Sequence, residues 1–445
     1  MMDWKKLLTP QRLGKNEPED IQHGRTPFLR DYDRLVFSSP FRRLKDKTQV
    51  FSLSTNDYIR TRLIHSLEVS CVGRSLGRIV GNEIIKRHKL DEYGFSASDF
   101  GEIVSAACLA HDIGNPPFGH SGEDAIRTAF QSWHATVQQT EENFFDESQK
   151  TDFELFEGNA QGFRILTKLE MPPQRGGMQL TCPTLAAFTK YPRESLVSES
   201  IFNGYKGRSI KKYGFFQAEK DLFTEVAETV GLIRRHEQVA WWARHPLAFL
   251  VEAADDICYS IIDVEDGHRM GYISFEQTKD LLNEIACVDI QQADESNEEK
   301  VKRMRAKAIN KLIEKTVEIF LDHELAILSG EFDKDLLSLS QYDNHLKNIS
   351  QKTRATVFEN RDVVGIQVAG YEVLGKLFTE FGNSILSSDK KSKLVYLMLP
   401  KEYHPKAEED IYTKILRITD YISGMTDSYA TSLFQQLSGI SLGAS

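Results

Sequence analysis

Apolar residues recur along most of this chain at intervals of three and four, the spacing that places them on one face of an α-helix. In the segment 57–88, Leu63 and Leu67 keep this spacing and predict one long helix. The small apolar run 103–110 predicts a buried helix that leads into His111. The same pattern predicts further helices over 163–169, 247–262, 292–315, 336–348, 363–386 and 412–437.

Strand content is predicted to be small. The stretch 171–180, with Gly176-Gly177 in its middle, is the one place where a short hairpin is expected. Residues 134–158 are polar and acid-rich and lack periodicity, so they are predicted to form a surface excursion between helices. The chain is therefore predicted to be all-α, with at most a short hairpin.

Composition narrows the class of protein. The chain has 445 residues, of which 40% are hydrophobic, enough for a large folded core, and this excludes global disorder. A formal net charge of -10 argues against a chain that is basic throughout, although local Lys and Arg clusters could still contact phosphates. Five scattered cysteines without a CxxC motif indicate reduced thiols. No apolar run has the length of a signal or membrane segment, so we expect a cytoplasmic protein with no membrane partner.

The stretch 111–123 carries the first candidate chemistry. His111 and Asp112 stand where a buried helix ends, and an imidazole beside a carboxylate suits a divalent metal ion. Taken as an isolated dipeptide, such a pair is more often a satisfied core pair than a metal site. Pro116 and Pro117 push the residues before them out of the α region and make the following turn stiff.

This stiff turn leads to a second polar pair, His120 and Glu123. Their i, i+3 spacing places both on one face if Ser121 caps the next helix. Two polar pairs held by one rigid loop favour a functional site over a structural clasp. On the preceding long helix, Arg62 and His65 share a face, which makes His65 a third potential ligand.

Another helix, which Pro246 begins, carries acidic residues among Ala, Ile and Cys. Carboxylates in such surroundings are costly to bury without a cation or hydrogen-bond donors. Helical spacing places Asp255, Tyr259 and Asp263 on one face, whereas Asp256 points well away from Asp255. That face supplies a fourth potential ligand and two more polar groups.

Two segments are rich in positive charge. The most basic is 204–221, and a basic loop in a protein with a metal-type site is a reasonable contact for phosphate groups. Its cations are Lys206, Arg208, Lys211, Lys212 and Lys220. Residues 17–55 place arginines among phenylalanines, a mixture able to bind phosphates or bases, but a solvated helix face is the favoured alternative.

Several blocks of sequence point to one family. They are His65, His111-Asp112 and Asp255, together with Phe41-Arg42-Arg43-Leu44, Lys47-Thr48-Gln49-Val50-Phe51, Thr55-Asn56-Asp57, Arg60-Thr61-Arg62, the loop 111–123, Glu157-Gly158-Asn159-Ala160-Gln161, the segment 252–263 and Gly424-Met425-Thr426-Asp427. The first three resemble the metal signature of the HD-domain phosphohydrolases. The full set resembles the deoxyguanosine triphosphate triphosphohydrolase family, from about residue 25 to residue 438.

The resemblance implies metal-dependent hydrolysis of a deoxynucleoside triphosphate, dGTP first, to the deoxynucleoside and tripolyphosphate. The implied metal ligands are His65, His111, Asp112 and Asp255. The implied triphosphate contacts are Arg62, Lys212 and Lys211, in which Lys212 ranks ahead of Lys211. The implied ion is Mg²⁺ or Mn²⁺, with Ni²⁺, Co²⁺ and Zn²⁺ as alternatives.

The resemblance also assigns the remaining polar candidates. The implied pocket for sugar and base contains Gln49, Asn159, Tyr259 and Asp263. Tyr259 and Asp263 would lie against the deoxyribose, whereas Gln49 would face the sugar edge or the base. His120 and Glu123 match the pair regarded as catalytic in the family. Whether His120 acts as an acid or activates the attacking water stays open at this point.

The implied organisation is one α-helical unit over 1–445, with an HD-type catalytic core at 40–270 and a helical C-terminal extension at 271–445. A homo-oligomer, a hexamer in the family, is implied as well, and a regulatory nucleotide or single-stranded DNA is a further candidate partner. Two other functions stay in view: an HD enzyme for another nucleotide phosphoester, and a non-catalytic helical module that binds nucleic acid. The blocks outside the metal signature disfavour the former, and the complete set of ligands disfavours the latter.

Overall fold

The computed structural model describes residues 1–17, 24–49, 60–137, 144–290 and 295–441. Within these ranges the chain forms helices and four isolated β-bridges, and no strand. The all-α prediction is confirmed. The hairpin expected over 171–180 does not form among these residues, because Met171, Gln179 and the two central glycines all adopt positive φ, which interrupts any extended run.

The α-helices are α1 (Trp4–Leu7), α2 (Pro27–Phe37), α3 (Ser39–Arg43), α4 (Arg62–His88), α5 (Ala97–Ala110), α6 (Gly119–Val137), α7 (Glu147–Glu154), α8 (Gly158–Arg164), α9 (Cys182–Phe188), α10 (Glu199–Phe202), α11 (Lys220–Thr229), α12 (Pro246–Arg269), α13 (Phe275–Ala286), α14 (Asn297–Asp322), α15 (Glu324–Leu328), α16 (Asp343–Thr353), α17 (Arg361–Leu386), α18 (Lys390–Met398), α19 (Ile411–Gly424) and α20 (Asp427–Leu437). Two π-helical turns, Ile165–Leu169 and Arg354–Phe358, extend α8 and α16. Short 3₁₀ turns lie at Leu44–Asp46, Leu90–Tyr93, Arg208–Ile210, Gln217–Glu219, Leu337–Leu339 and Lys401–Tyr403.

Two expectations about helix positions were wrong. Within 134–158, which was expected to be irregular, α7 forms because Asp146 and Gln149 make a reciprocal capping box and Phe153 is buried. Helix α6 begins at Gly119, so Ser121 lies inside its first turn and does not cap it. Of the helix predicted over 57–88, residues 57–59 lie outside the described residues, and the described helix begins at Arg62.

One hydrophobic core contains the helices that deliver the candidate ligands. Helices α4, α5, α12 and α14 pack together in this core, which extends from Met2 to Val357 along the chain. Helices α4 and α5 approach closely, since a Cβ at Gly77 would lie 2.7 Å from the carbonyl oxygen of Phe100. Small residues at this contact bring the C-terminal end of α5, and hence His111, next to α4.

A second core joins the middle of the chain to its C-terminal part. Its aromatic centre combines Phe130 and Trp133 of α6 with Phe378 of α17, with ring centroids about 6 Å apart. Helices α19 and α20 belong to the same core. Helix α6 is therefore held on one side by C-terminal helices and begins, on the other side, at the stiff turn. Among the described residues, no helix combines the length and apolar character required to cross a bilayer.

Candidate active site

A cavity of about 360 Å³ lies where α4, α8 and α12 meet the turn between α5 and α6. The described residues that line it are Gln49, Arg62, His65, His111, Asp112, Asn115, His120, Asn159, Phe188, Lys190, Tyr191, Lys212, Val251, Glu252, Asp255, Asp256, Tyr259 and Phe358. The lining is dominated by charged and polar groups with aromatic rings among them. Such a cavity suits a charged ligand that also carries a flat apolar part.

Three side chains converge at one wall of this cavity. His65 from α4, His111 after α5 and Asp255 from α12 each offer one ligand atom, and these atoms lie within 4.8 Å of one another. His65 Nε2 lies 3.1 Å and His111 Nε2 lies 3.6 Å from Asp255 Oδ1. Two imidazole nitrogens and a carboxylate oxygen are a donor set that fits a divalent metal ion.

The orientation of His111 supports this reading of the donor set. Its Nδ1 donates to the carbonyl oxygen of Cys108 at 2.7 Å, which leaves Nε2 as the ring nitrogen available to a metal ion. A ring nitrogen fixed in this way by a backbone carbonyl is typical of histidines that bind metals. Nε2 faces Asp255, whose Oδ1 lies 3.6 Å away.

Asp112 lies beside the cluster of three and outside it. Its Oδ1 is 3.5 Å from His111 Nε2 and accepts from Asn115 at 2.5 Å. Its Oδ2 accepts from Arg62 at 2.7 Å. Burial works against its charge, but Arg62 and the two neighbouring imidazoles hold the pKa of Asp112 well below its usual range. The pKa of Asp255 is lowered in the same way against burial, chiefly by His111 and His65.

The turn after Asp112 is fixed by contact with α8. A Cβ at Gly114 would lie 2.1 Å from the carbonyl oxygen of Gly158, so only glycine allows this approach. At the end of the turn Phe118 has a φ of 63° and Gly119 a φ of 60°, and α6 begins there. This reversal places His120 at the cavity and the side chain of Glu123 against α8.

His120 and Glu123 form a direct pair with unequal exposure. Nδ1 of His120 lies 2.9 Å from Oε2 of Glu123; the histidine side chain is 82% exposed and the glutamate 3%. Glu123 also accepts from the backbone N–H of Gly158 at 2.7 Å. The hydrogen bond to Glu123 and its charge raise the pKa of His120. Burial alone would raise the pKa of Glu123, but His120 and Lys212 bring it below its usual range.

Lys212 links this pair to a second buried carboxylate. Its Nζ donates to Glu157 at 3.0 Å and lies 3.7 Å from Glu123 Oε2. Glu157 also accepts from Arg127 at 3.0 Å and from Asn159 at 3.2 Å. Burial lowers the pKa of Lys212, but the two carboxylates outweigh it and raise that pKa, so the ammonium group is charged at neutral pH.

The far wall of the cavity is aromatic. The ring of Tyr259 stacks on Phe358, with centroids 5.9 Å apart and planes at 26°. One helical turn beyond Tyr259, Asp263 is buried, and its Oδ2 has no hydrogen-bond partner among the described residues. Burial raises the pKa of Asp263 to about 8. Gln49 also has a buried oxygen, Oε1, without a partner in the described part of the chain.

The structure brings most of the predicted site residues to this cavity. Three of them are not among its lining residues. Lys211 is exposed at the end of a 3₁₀ turn, Glu123 lies behind His120, and Asp263 is buried beneath the wall. The residues at 50–59 that contribute to the family resemblance, including Phe51 and Thr55-Asn56-Asp57, lie outside the described residues.

Several lining residues had no signal in the sequence. Lys190 and Tyr191 follow α9 in an irregular segment, and Lys190 pairs with Glu252 at 3.1 Å. Phe358 closes a π-helical turn far along the chain. No spacing pattern connects these residues to 111–123, so only the three-dimensional arrangement identifies them.

Comparison with known proteins agrees with this geometry. The family model described as "HD domain" matches residues 62–157, and the model described as "Phosphohydrolase-associated domain" matches residues 340–436. The first match contains His65, the His111-Asp112 pair and His120.

Named relatives are similar over nearly their whole length. A deoxyguanosinetriphosphate triphosphohydrolase-like protein of Synechocystis is 58% identical over 443 residues, covering 99% of this chain and all of the relative. A Pseudomonas aeruginosa protein of the same name is 39% identical over 455 residues, 98% of this chain and 99% of the relative. A deoxyguanosinetriphosphate triphosphohydrolase of Salmonella paratyphi A is 29% identical over 486 residues, 93% and 94% of the two chains.

The full-length similarity, the HD-domain match and the cluster of two imidazoles and a carboxylate agree with one another, and the chain belongs to the deoxyguanosinetriphosphate triphosphohydrolase-like family of HD-domain hydrolases.

Proposed function

We propose that this protein hydrolyses deoxynucleoside triphosphates, dGTP first, to the deoxynucleoside and tripolyphosphate. One observation carries the proposal: a metal-type cluster, three cations and an exposed histidine backed by a buried carboxylate meet at the same cavity. The cations are suited to a polyphosphate, and the aromatic wall is suited to a nucleoside. The names of the relatives point to the same substrate class.

In this proposal, His65, His111 and Asp255 hold a divalent ion, with Asp112 as the fourth ligand. A bound divalent ion would polarise a phosphoryl oxygen and lower the pKa of a water molecule. For Asp112 to bind as well, it must share its carboxylate with Arg62 and Asn115, which it contacts at 2.7 and 2.5 Å. These donors fix the carboxylate and leave its charge intact, as outer-shell partners of metal ligands do.

The triphosphate is assigned to the cationic side of the cavity. Arg62 and Lys212 line it directly, whereas Lys211 is exposed and is not among the lining residues. Lys190, which sequence reasoning missed, is a further lining cation. These cations offset the charge that spreads over the phosphate oxygens as the bond to the nucleoside breaks.

His120 is assigned the proton transfer. Attack of water on the α-phosphorus breaks the bond to the 5′-oxygen, which leaves as a poor leaving group unless it is protonated. The carboxylate of Glu123 orients Nδ1 and raises the pKa of His120, so more of the histidine is protonated near neutral pH. Nε2 of His120 then donates the proton, and the exposed side chain can take up another from solvent.

The sugar is assigned to the aromatic wall. Tyr259 lies one helical turn from Asp255, so a nucleotide whose α-phosphate lies at the cluster would place its sugar over the ring. The stack on Phe358 fixes the ring. Gln49 lines the cavity and has an oxygen without a partner in the described part of the chain, which could accept from a sugar hydroxyl or a base amine. Contact of Asp263 with the deoxyribose remains a prediction, because its side chain is buried beneath the wall. A hexamer, a regulatory nucleotide or single-stranded DNA partner and a cytoplasmic location remain predictions from the sequence.

The first prediction concerns the metal. Purified protein should turn over deoxynucleotides only with a divalent ion, and Asp255→Ala should lose both bound ion and turnover, because its oxygen lies next to both imidazoles. Asp256→Ala is the matched control, a neighbouring carboxylate of the same cavity outside the cluster. Metal content by mass spectrometry and turnover of the four deoxynucleotides, singly and in mixtures, would be measured. Loss in Asp256→Ala with retention in Asp255→Ala would contradict the assignment.

The second prediction concerns pH. Because the pKa of His120 is raised, its acidic form is present below that pKa and is lost as pH rises through it. The turnover number should therefore fall on the alkaline side, and Glu123→Gln should move that limb to lower pH while lowering the maximum by roughly 10²-fold or more. Metal content would be checked at each pH. An alkaline limb unmoved in Glu123→Gln would mean that another group supplies the proton.

The third prediction concerns the sugar. A tyrosine ring beneath C2′ leaves no room for a 2′-hydroxyl, and overpacking together with an unpaired hydroxyl would cost roughly 1–3 kcal/mol each. Deoxynucleotides should be preferred over ribonucleotides by roughly 10²-fold or more. Tyr259→Ala should narrow this preference by admitting ribonucleotides. The ratio of kcat/KM for dGTP and GTP would be compared in both proteins; an unchanged ratio would shift sugar discrimination to Gln49.

A further inference from the structure

Beside the cavity, three segments that are far apart in sequence meet at two buried charged side chains. The segments are 47–49, which ends in Gln49, 115–118 in the turn before α6, and 423–427 where α19 ends and α20 begins. The charged side chains are Lys47 and Asp427, which are 3% and 2% exposed. Neither of them lines the cavity, whereas Gln49 does.

Asp427 binds two of these segments to the third. Its Oδ1 accepts from the backbone N–H of Phe118 at 3.1 Å, and its Oδ2 accepts from the backbone N–H of Thr48 at 3.0 Å. The hydroxyl of Thr48 also donates to Oδ2. These contacts cross 309 and 379 residues of sequence. One carboxylate thus fixes the residue before Gln49 and the residue two before His120.

Lys47 makes the complementary connection. Its Nζ donates to the carbonyl oxygen of Asn115 at 2.6 Å and to that of Ser423 at 2.7 Å. Burial, and the nearby Arg43, lower the pKa of Lys47, while the charge of Asp427 opposes this shift. The two side chains carry opposite charges and therefore stabilise each other, and their hydrogen bonds connect the same three segments.

The backbone at Phe118 requires such support. A φ of 63° is uncommon and costly for a bulky residue, and conformations of this kind persist only where neighbouring groups fix them. Asp427 accepts a hydrogen bond from the backbone N–H of this strained residue. The direction in which α6 begins, and hence the position of His120, depends on it.

We infer that Asp427 is a positioning residue for the active site, which sets the places of His120 and Gln49 through Phe118 and Thr48. This inference rests on the proposed function for its kinetic consequence, and not for the geometry of the network. Helix α20 thereby contributes to the site without contacting the substrate. Asp427→Ala should lower kcat by roughly 10²-fold, the scale for a displacement of a catalytic group by about 1 Å.

Variants of Thr48 separate the effect on Gln49 from the effect on His120. Thr48→Val removes one hydroxyl bond and leaves the backbone bond to Asp427, so it should fold like the parent protein. It should raise KM about fivefold with kcat nearly unchanged, because Gln49 and not His120 is its neighbour. Thr48→Ser keeps the hydroxyl and should restore KM. Asp410→Ala is the control: it removes an exposed aspartate that caps α19 through Thr413 and does not touch the three segments.

Hydrogen exchange gives a readout that does not depend on turnover. In Asp427→Ala, the amides of Phe118 and Thr48 should exchange faster, in peptides covering 113–122 and 44–49, whereas Asp410→Ala should leave them unchanged. Unaltered exchange at both amides, or kcat and KM of folded Asp427→Ala within twofold of the parent protein, would overturn the inference. If the amides exchange faster in Asp427→Ala but the parent protein itself turns over no deoxynucleotide, the positioning network is supported and the proposed function is contradicted.

Discussion

A buried carboxylate must be matched by cations or hydrogen-bond donors, and this requirement determines how the elements around the cavity meet. Removing one partner of such a group costs far more than the pair contributes. Asp112 is matched by Arg62, Glu123 by His120 and the Gly158 amide, and Glu157 by Lys212 and Arg127. The contact of Asp112 with Arg62 joins the turn after α5 to α4, and the contacts of Glu123 with Gly158 and of Glu157 with Arg127 join α6 to the start of α8. The contact of Glu157 with Lys212 adds the basic segment 204–221. The polar site therefore acts as a set of cross-links between helices that also make the two hydrophobic cores.

The C-terminal part of the chain matters to the site because it holds α6. Helix α6 packs its aromatic face against α17, in a core separate from the one that holds the metal-type cluster. The polar start of α6 is thus held between two cores, and Gly114 allows the turn before it to touch α8. A cavity assembled from residues across the chain in this way can combine cluster, cations and aromatic wall within a small volume.

The sequence alone predicted the parts of this arrangement that depend on periodicity or on rigid local chemistry. Helical spacing placed His65 on one face with Arg62, and Asp255 on one face with Tyr259 and Asp263. Pro116 and Pro117 indicated the turn. Spacing did not rank Lys212 ahead of Lys211, and only the family resemblance did, because adjacent residues outside a regular element have no fixed relative direction. Helix α7 was missed because its polar cap and a single buried Phe153 leave no apolar stripe. Residues such as Lys190 and Phe358 reach the cavity only through tertiary packing, which no local pattern encodes.

The central claim is that water attacks the α-phosphorus of a deoxynucleotide in this cavity and that the whole triphosphate leaves as one product. Turnover of dGTP in ¹⁸O-labelled water, followed by ³¹P NMR and mass spectrometry of the products, tests it directly. The account predicts deoxyguanosine without label and tripolyphosphate carrying one ¹⁸O on a terminal phosphorus. Release of pyrophosphate or orthophosphate, or label in the nucleoside, would contradict it.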